Sequence, residues 1–298
     1  MIEQTDLGAG HGGSDELTPA EAAAASADAV TGIAATHRGR RSLLEKLGPV
    51  AVFVAFVGFW YFLSYVWMSE GRRFLVPPPH RVVDQSFLDW DNLANLLKSL
   101  WLTAKVAIVG LVIAIVLGMA IAILMSQARW VERALFPYAV ALQAVPILAF
   151  VPLIGVLFGY DFRSRVIVCV IIALFPIIAN TLFGLLSADR SQHDLFTLHG
   201  VNRRTRLGKL QLPAAMPSIF TGFRVAAGLS VIGAVVGDFF FRQGQPGIGI
   251  LIDVYRSRLN YPLMYGAVIL SSALGILVFW LFGFIANRAV GHWHESTR

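Results

Sequence analysis

The sequence predicts an all-α integral membrane protein with about six transmembrane helices and a cytoplasmic two-helix loop. Three observations lead to this fold class. The 298 residues are 56% hydrophobic and 14% charged, whereas soluble domains carry about 25% charged residues. Apolar runs long enough to cross a bilayer recur along the chain. The polar segment between two of them, residues 194–213, has an amphipathic pattern of its own.

The composition also excludes several functional classes. The single cysteine, Cys169, rules out an intramolecular disulfide and argues against a zinc–cysteine site. The formal net charge of +6 does not indicate a nucleic-acid partner. The basic residues largely flank apolar segments, as membrane topology favours, and no base-stacking or groove-reading motif accompanies them. We expect neither nucleic-acid binding nor a metal site.

The apolar runs define the predicted domain organisation. Residues 1–41 are rich in Gly, Ala, Ser and acidic residues, a composition typical of a disordered tail. A membrane domain over residues 42–288 and a short tail over residues 289–298 follow. The predicted spans are residues 49–68, 97–125, 135–158, 165–186, 219–241 and 263–286. An even number of spans places both termini in the cytoplasm.

Polar residues and prolines within these spans suggest a transport pathway. Prolines free backbone groups that need protein or water nearby rather than lipid, and an amide in mid-span is costly in hydrocarbon. The candidate pathway-lining residues are Gln143, Pro146, Pro152, Asn180, Thr181 and Asp238. Hydrogen bonds between helices would explain the amides equally well. For Asp238, a structural cap or salt bridge is the alternative.

Glycines mark two features of the last third of the chain. Gly233 and Gly237 form a GxxxG pair that favours close helix packing. Residues 242–261 combine four turn-forming Gly and Pro residues with apolar ones. They predict a re-entrant or surface-lying segment over the outer gate.

The segment of residues 194–213 predicts two short helices. Leu195, Phe196 and Leu198 give the first helix an apolar side, and Gly200 is placed to end it in the left-handed conformation. Asn202 is a candidate N-cap for the second helix. Leu207 and Leu210 lie on one face of that helix, and Leu212-Pro213 is expected to end it because proline lacks an amide hydrogen. The pattern indicates a docking element.

This segment resembles the cytoplasmic EAA loop of binding-protein-dependent ABC importer permeases. That pattern is Glu-Ala-Ala, three residues, Gly, nine residues and Ile-x-Leu-Pro. Here Gly200 is followed by nine residues and Leu210-Gln211-Leu212-Pro213, Asp194 takes the acidic position, and Leu195 and Phe196 replace the alanines. The stretches PAAMPSIFTGFRVAAG and DFFFRQGQPGIGILI are similar to the branch with nitrate, sulfonate/taurine and pyrimidine-precursor permeases.

The resemblance implies a type I ABC importer-like fold in the bacterial cytoplasmic (inner) membrane. It implies a transport subunit rather than an enzyme, whose partners are ABC ATPase subunits, an extracytoplasmic substrate-binding protein and a second permease copy, as a homodimer. Residues 187–217, here termed the coupling loop, would contact the ATPase. The residues expected there are Asp194, Leu195, Phe196, Gly200, Val201, Arg203, Leu207, Leu210, Leu212 and Pro213.

The chain lacks a GxxxxGK[ST] phosphate loop, so we expect no cofactor in it, with ATP and Mg held by the partner ATPase. The transported solute would be a nitrate- or sulfonate-type anion or a small heterocycle. One alternative is an ion-coupled secondary transporter, which should show inverted repeats and intramembrane acidic residues; neither is clear here. The other alternative is a membrane anchor or scaffold, but such a protein would not need spans that are broken by proline.

Overall fold

The computed structural model describes residues 47–290. The predicted tail of residues 1–41 and nearly all of the predicted C-terminal tail lie outside the described residues. The chain divides after Leu63 into two units. Helix α1, Leu47–Trp67, begins in the first unit and is long and apolar enough to cross a membrane.

Within the second unit, residues 64–290 form helices joined by short turns. They are α2 (Pro79–Val83), α3 (Trp90–Ser126), α4 (Arg129–Ala144), α5 (Ile147–Phe158), α6 (Phe162–Leu186), α7 (Arg190–Leu198), α8 (Arg203–Arg206), α9 (Leu212–Phe240), α10 (Ile248–Ser257) and α11 (Tyr261–Val290). Single helical turns of other types occupy Glu70–Leu75, Asp84–Leu88 and Leu207–Gln211.

Five helical stretches in the described part of the chain can cross a membrane, and α4 with α5 can supply a sixth span. The structure divides the predicted third span, residues 135–158, into these two helices, which meet at 97°. Pro146 causes the break, because proline has no amide hydrogen and disfavours helical backbone in the residue before it. Val145 is accordingly extended, at φ −68° and ψ 126°.

The antiparallel helices α6 and α9 form the centre of the second unit, with α3 packed against both. A side-chain Cβ at Gly233 would lie 2.9 Å from the Cα of Cys169, and one at Gly237 would lie 3.1 Å from the Cα of Arg165. The two helices approach so closely because these α9 positions carry no side chain. The close packing predicted from the GxxxG pair is confirmed.

Residues 242–261 contain the short helix α10. Its apolar side packs against α3, α9 and α11, with Ile248, Leu251 and Tyr255 buried beside Leu96 and Leu263. Ten residues extend for about 15 Å, too little to cross a bilayer. The segment therefore does not span, as the sequence predicted, and most of its turn residues precede the helix.

Candidate functional site

The corner of the coupling loop is closed by backbone hydrogen bonds around Gly200. This residue has φ +62°. Its amide donates to the carbonyl of Thr197 at 3.0 Å, and the amide of Val201 donates to the carbonyl of Phe196 at 3.1 Å. These two bonds satisfy carbonyls at the end of α7 and require a left-handed residue at the corner, which glycine supplies at low cost. The predicted helix stop is confirmed.

The second helix of the coupling loop begins at its predicted cap. Oδ1 of Asn202 accepts a hydrogen bond of 2.8 Å from the amide of Thr205. Arg206 then donates from Nη2 to Oγ1 of Thr197 at 2.8 Å, which ties α8 back to α7. The two short helices thus form one ordered unit.

The prediction that Leu212-Pro213 ends the second helix is wrong. The helix continues from Arg203 to Phe240 over 38 residues. The amide of Leu212 donates to the carbonyl of Leu207 within one wide turn. Pro213 then occupies the first turn of α9, where a missing amide hydrogen costs nothing. The coupling loop is therefore joined to α9 without a flexible break.

The predicted contact residues of the coupling loop fall into two groups. On α7, Leu195 and Leu198 are 53% and 85% exposed, and none of the helix is buried. Asp194, Gly200, Arg203 and Pro213 are also exposed, and Phe196 and Val201 are half-buried.

The other group points into the protein. Leu210 is buried, and Leu207 and Leu212 pack against the cluster formed by Leu185, Ala215 and Ile219. The α7 side is thus the surface available to a partner, while the leucines of the second helix anchor the coupling loop to α6 and α9.

The six pathway candidates do not form a single site. Gln143, Pro146 and Pro152 are exposed around the α4–α5 break. Asn180 donates from Nδ2 to the carbonyl of Pro176 at 2.8 Å. Thr181 is fully buried, and its hydroxyl has no hydrogen-bond partner among the described residues.

Asp238 lies far from Asn180. Asn180 packs against Gly222 of α9, and the helical rise places Asp238 about 24 Å further along α9. Asp238 is instead the centre of a buried polar network at the end of the molecule where α10 lies. Here the structure favours the salt-bridge alternative for Asp238.

Four helices contribute to this buried network, including α9, which carries Asp238. Oδ1 of Asp238 lies 3.2 Å from Nη1 of Arg165 on α6, an ion pair without the alignment of a hydrogen bond. Thr103 on α3 donates to Oδ2 at 2.6 Å. The start of α10 completes the network, because the amide of Gly249 donates to Oδ2 at 3.3 Å and that of Ile248 donates to the Thr103 hydroxyl at 2.8 Å.

Arg165 connects the same network to the chain between α9 and α10. Its Nε and Nη2 donate to the carbonyl of Phe241 at 3.0 and 2.6 Å, Nη2 also reaches the carbonyl of Gln243, and Nη1 that of Gln245. The side chain is 2% exposed. A guanidinium is buried here at tolerable cost because its charge is paired and its donors are used.

The sequence alone did not single out Arg165 or Thr103. A signal was present: Arg165 begins the predicted fourth span, and Asp238 lies near the end of the fifth. Antiparallel neighbours bring those two ends to the same depth, so opposite charges there can pair. Nothing in the sequence distinguishes Thr103 from other span threonines.

A second ionic cluster lies on α10 itself. Asp253 pairs with Arg242 and with Arg256, whose Nη2 lies 2.6 Å from Oδ1. The hydrogen bonds from Arg256, followed by those from Arg242, hold the pKa of this carboxyl below its ordinary value, although partial burial opposes them. Asp253 therefore stays charged at neutral pH.

Comparison with known proteins identifies the family. Residues 114–292 match the family described as binding-protein-dependent transport system inner membrane component. The chain belongs to this family. It is a multi-pass permease component of an ABC importer, as the EAA-like loop predicted, and such importers also contain ATPase and substrate-binding subunits.

Two relatives illustrate the range of the family. The formylaminopyrimidine transport permease ThiX of Halalkalibacterium halodurans is 34% identical over 237 residues, covering 79% of this chain and 91% of its own. The putative aliphatic sulfonates transport permease SsuC of Escherichia coli K12 is 30% identical over 235 residues, covering 78% of this chain and 87% of its own.

The fold is shared with solved ABC transporters. The MetNI methionine ABC transporter, in an inward-facing conformation, superposes with a TM-score of 0.60 at 18% identity, covering 68% of this chain and 99% of that chain. At this identity the likeness concerns the fold alone. The predicted type I importer-like, all-α fold is confirmed.

Proposed function

We propose that two copies of this permease form an alternating-access pathway, and that the coupling loop of each copy sits in a groove of an ATPase subunit. The observation that carries the proposal is the uninterrupted helix from Arg203 to Phe240. It connects the exposed coupling loop directly to the buried network around Asp238. A movement imposed on the loop is thereby transmitted across the whole span.

The exposed side of α7 supports the ATPase contact. Leu195 and Leu198 present apolar surface on an otherwise polar loop. Exposed apolar patches rimmed by polar groups are typical of protein interaction sites. Asp194 is exposed next to Leu195 on α7 and would orient the loop toward a basic group of the ATPase.

ATP and Mg would act on the partner ATPase. Binding of ATP shifts the permease only if the two conformations of the pathway differ in how they hold the coupling loop. The second-helix leucines that anchor the loop to α6 and α9 provide that connection. Closure of two ATPases would draw the two loops together and open the pathway to the opposite side of the membrane.

The topology follows from this assignment. With the coupling loop at the ATPase, both termini lie in the cytoplasm and the α10 end faces outward. A binding protein would deliver the solute at that outer end. The membrane is then the bacterial cytoplasmic membrane, where ATP is available on the loop side.

For the solute, we propose a small heterocycle or a small anion, as the names of the relatives suggest, with the heterocycle favoured. The buried guanidinium of Arg165 is fully engaged by Asp238 and backbone carbonyls. It therefore offers no free cation to a bare anion. Thermal stabilisation of the paired binding protein by formylaminopyrimidines, compared with nitrate and alkanesulfonates, separates the two classes.

Co-purification from membranes tests the ATPase contact. We expect the native permease to retain the ATPase encoded beside it, and Asp194→Arg to lose it because the charge at the docking surface is reversed. Asp91→Arg, an equal charge reversal of an exposed carboxylate at the start of α3, is the control and should retain the ATPase.

The outcomes separate the alternatives. Loss of the ATPase by Asp194→Arg alone supports the coupling role of the loop. If the folded native permease retains no ATPase, the proposed importer assembly is wrong and ion-coupled transport becomes the leading alternative. That alternative needs an acid free to titrate, whereas Asp238 is engaged by Arg165 and Thr103.

A further inference from the structure

The turn between α10 and α11 has a leucine where glycine would be less strained. Leu259 has φ +58° and is the one non-glycine residue with positive φ among the described residues. The amide of Asn260 donates to the carbonyl of Tyr255 at 2.9 Å, and that of Leu259 donates to the carbonyl of Arg256 at 3.1 Å. This is the same helix-ending motif that Gly200 makes in the coupling loop. A Cβ in this conformation collides with the following carbonyl.

Packing within the described part of the chain does not compensate for this strain. The Leu259 side chain is 62% exposed, so it gains little from burial. A large apolar residue that is held in a costly conformation and left uncovered by its own chain is a feature associated with binding sites. A partner that covers Leu259 would bury its apolar surface.

Asp253 of α10 holds two arginines in place. The carboxylate of Asp253 is 11% exposed and holds Arg242 and Arg256, whose side chains remain 58% and 65% exposed. Each guanidinium keeps donors directed away from Asp253, because it has five and the carboxylate uses at most two of them. Arg258 adds a third exposed guanidinium, with no side-chain partner among the described residues. The surface is positively charged.

Helix α10, which carries Asp253 and Arg256 and leads into the turn at Leu259, is firmly held. The start of α10 is bonded to Thr103 and Asp238, and near its end the hydroxyl of Tyr255 accepts a hydrogen bond from Asn95 at 3.2 Å. The 29 residues of α9 separate this helix from the coupling loop by about 43 Å. Helix α10 is thus fixed in place, and it lies at the opposite end of the molecule from the loop.

We infer that Arg242, Arg256, Arg258 and Leu259, here termed the outer tip, form the docking surface for the extracytoplasmic binding protein. The partner surface that fits them carries acidic side chains around a small apolar depression. This inference rests on the proposed function, because the proposed topology places the outer tip outside the cell. Opposite charges on two protein surfaces accelerate association and fix its register.

A protein partner fits this surface better than lipid headgroups do. Asp253 holds its arginines in one arrangement, and a fixed arrangement lowers the entropy lost on binding a rigid surface. Mobile lipid phosphates gain little from such preorganisation.

The experiment uses the complete transporter, permease with its ATPase, in nanodiscs, and the purified binding protein encoded beside it. Binding is measured by biolayer interferometry, and stimulation of ATP hydrolysis is measured in parallel. We expect Arg258→Glu to weaken binding about tenfold and to reduce its salt dependence, because an attractive charge becomes repulsive. Arg256→Gln should weaken it less, since the amide keeps one hydrogen-bond donor toward Asp253.

Leu259→Gly separates docking from folding. Glycine relieves the left-handed strain, so this variant should unfold at a higher temperature than the native protein while binding several-fold more weakly. If Leu259 had only a structural role, Leu259→Gly would change stability and binding in the same direction. Arg163→Glu, an exposed arginine at the start of α6, is the matched control and should bind like the native protein.

Each other outcome overturns the inference. If Arg258→Glu and Leu259→Gly bind with unchanged affinity while the native transporter binds normally, only the assignment of the outer tip as the docking surface is wrong. Effects that occur in nanodiscs with phosphatidylglycerol but not in phosphatidylcholine assign the outer tip to lipid. A native transporter that retains its ATPase but does not respond to the binding protein overturns both this inference and the proposed delivery of solute.

Discussion

Nη1 of Arg165 lies 3.2 Å from Oδ1 of Asp238, and both side chains are excluded from solvent. Breaking a buried ion pair by removing one partner costs about 3–5 kcal/mol, because the remaining charge stays buried without compensation. We expect Asp238→Asn and Arg165→Met each to destabilise the permease by about this amount, measured by unfolding in detergent micelles.

A double variant isolates the pairing itself. Arg165→Met combined with Asp238→Asn should cost less than the sum of the single variants, since neither charge remains. Arg163→Met, two positions away and exposed, should change stability by less than about 0.5 kcal/mol. Additive single costs would show that the two residues act independently.

Gly247 provides a steric test of the same network. A Cβ at this position would overlap the carboxylate of Asp238. Gly247→Ala is therefore expected to displace the start of α10 and to destabilise the protein by about 1–3 kcal/mol, as overpacking does. Gly208→Ala is the control, because a Cβ there meets open space and should be neutral or slightly stabilising in a thermal unfolding scan.

Substitution of the polar residues near the α4–α5 break and on α6 tests the predicted transport pathway. Gln143→Leu removes an exposed amide, and Asn180→Leu removes the bond to the carbonyl of Pro176. We expect both to assemble with the ATPase and to alter uptake kinetics in proteoliposomes. Gln85→Leu, outside the spans, should leave uptake unchanged. Native kinetics in both variants would remove these residues from the pathway.

The ion pairs of Asp253 are expected to make the stability of the α10 region depend on pH. Arg256 and Arg242 hold the folded pKa of this carboxyl below the unfolded value of about 3.9. Its stabilising contribution is then complete above that value and is lost as pH falls through the folded pKa. The difference in melting temperature between the native protein and Asp253→Asn should be constant from about pH 7 to about pH 5 and shrink below about pH 4.

A control completes the pH test. Arg258→Gln leaves both ion pairs of Asp253 intact and should follow the native curve. A difference between the native protein and Asp253→Asn that grows as pH falls would contradict the direction assigned to the pKa of Asp253.

Local chemistry explains which features could be predicted from the sequence. Gly200 and Asn202 act on backbone groups within a few residues, so their roles can be inferred from the neighbouring residues alone. The close packing at Gly233 and Gly237 was also predictable, because glycines at this spacing within a span allow another helix to approach closely. Hydropathy sufficed for most of the spans.

Prolines and long-range pairs were harder to interpret. Pro146 breaks a helix, whereas the helix from Arg203 continues through Pro213. The difference depends on whether the preceding residues supply a wide turn that accommodates the missing amide hydrogen. The partners of Asp238 lie 73 and 135 positions away in the sequence, on α6 and α3. Only the packing of three helices brings them together.

The uninterrupted helix from Arg203 to Phe240 has a mechanical consequence. Its 38 residues extend for about 57 Å, nearly twice the hydrocarbon thickness of a bilayer. If it pivots near its middle, a tilt of about 10° displaces each end by about 5 Å in opposite directions. Modest rotation at the ATPase surface would thus be converted into a shift wider than a water molecule at the outer mouth.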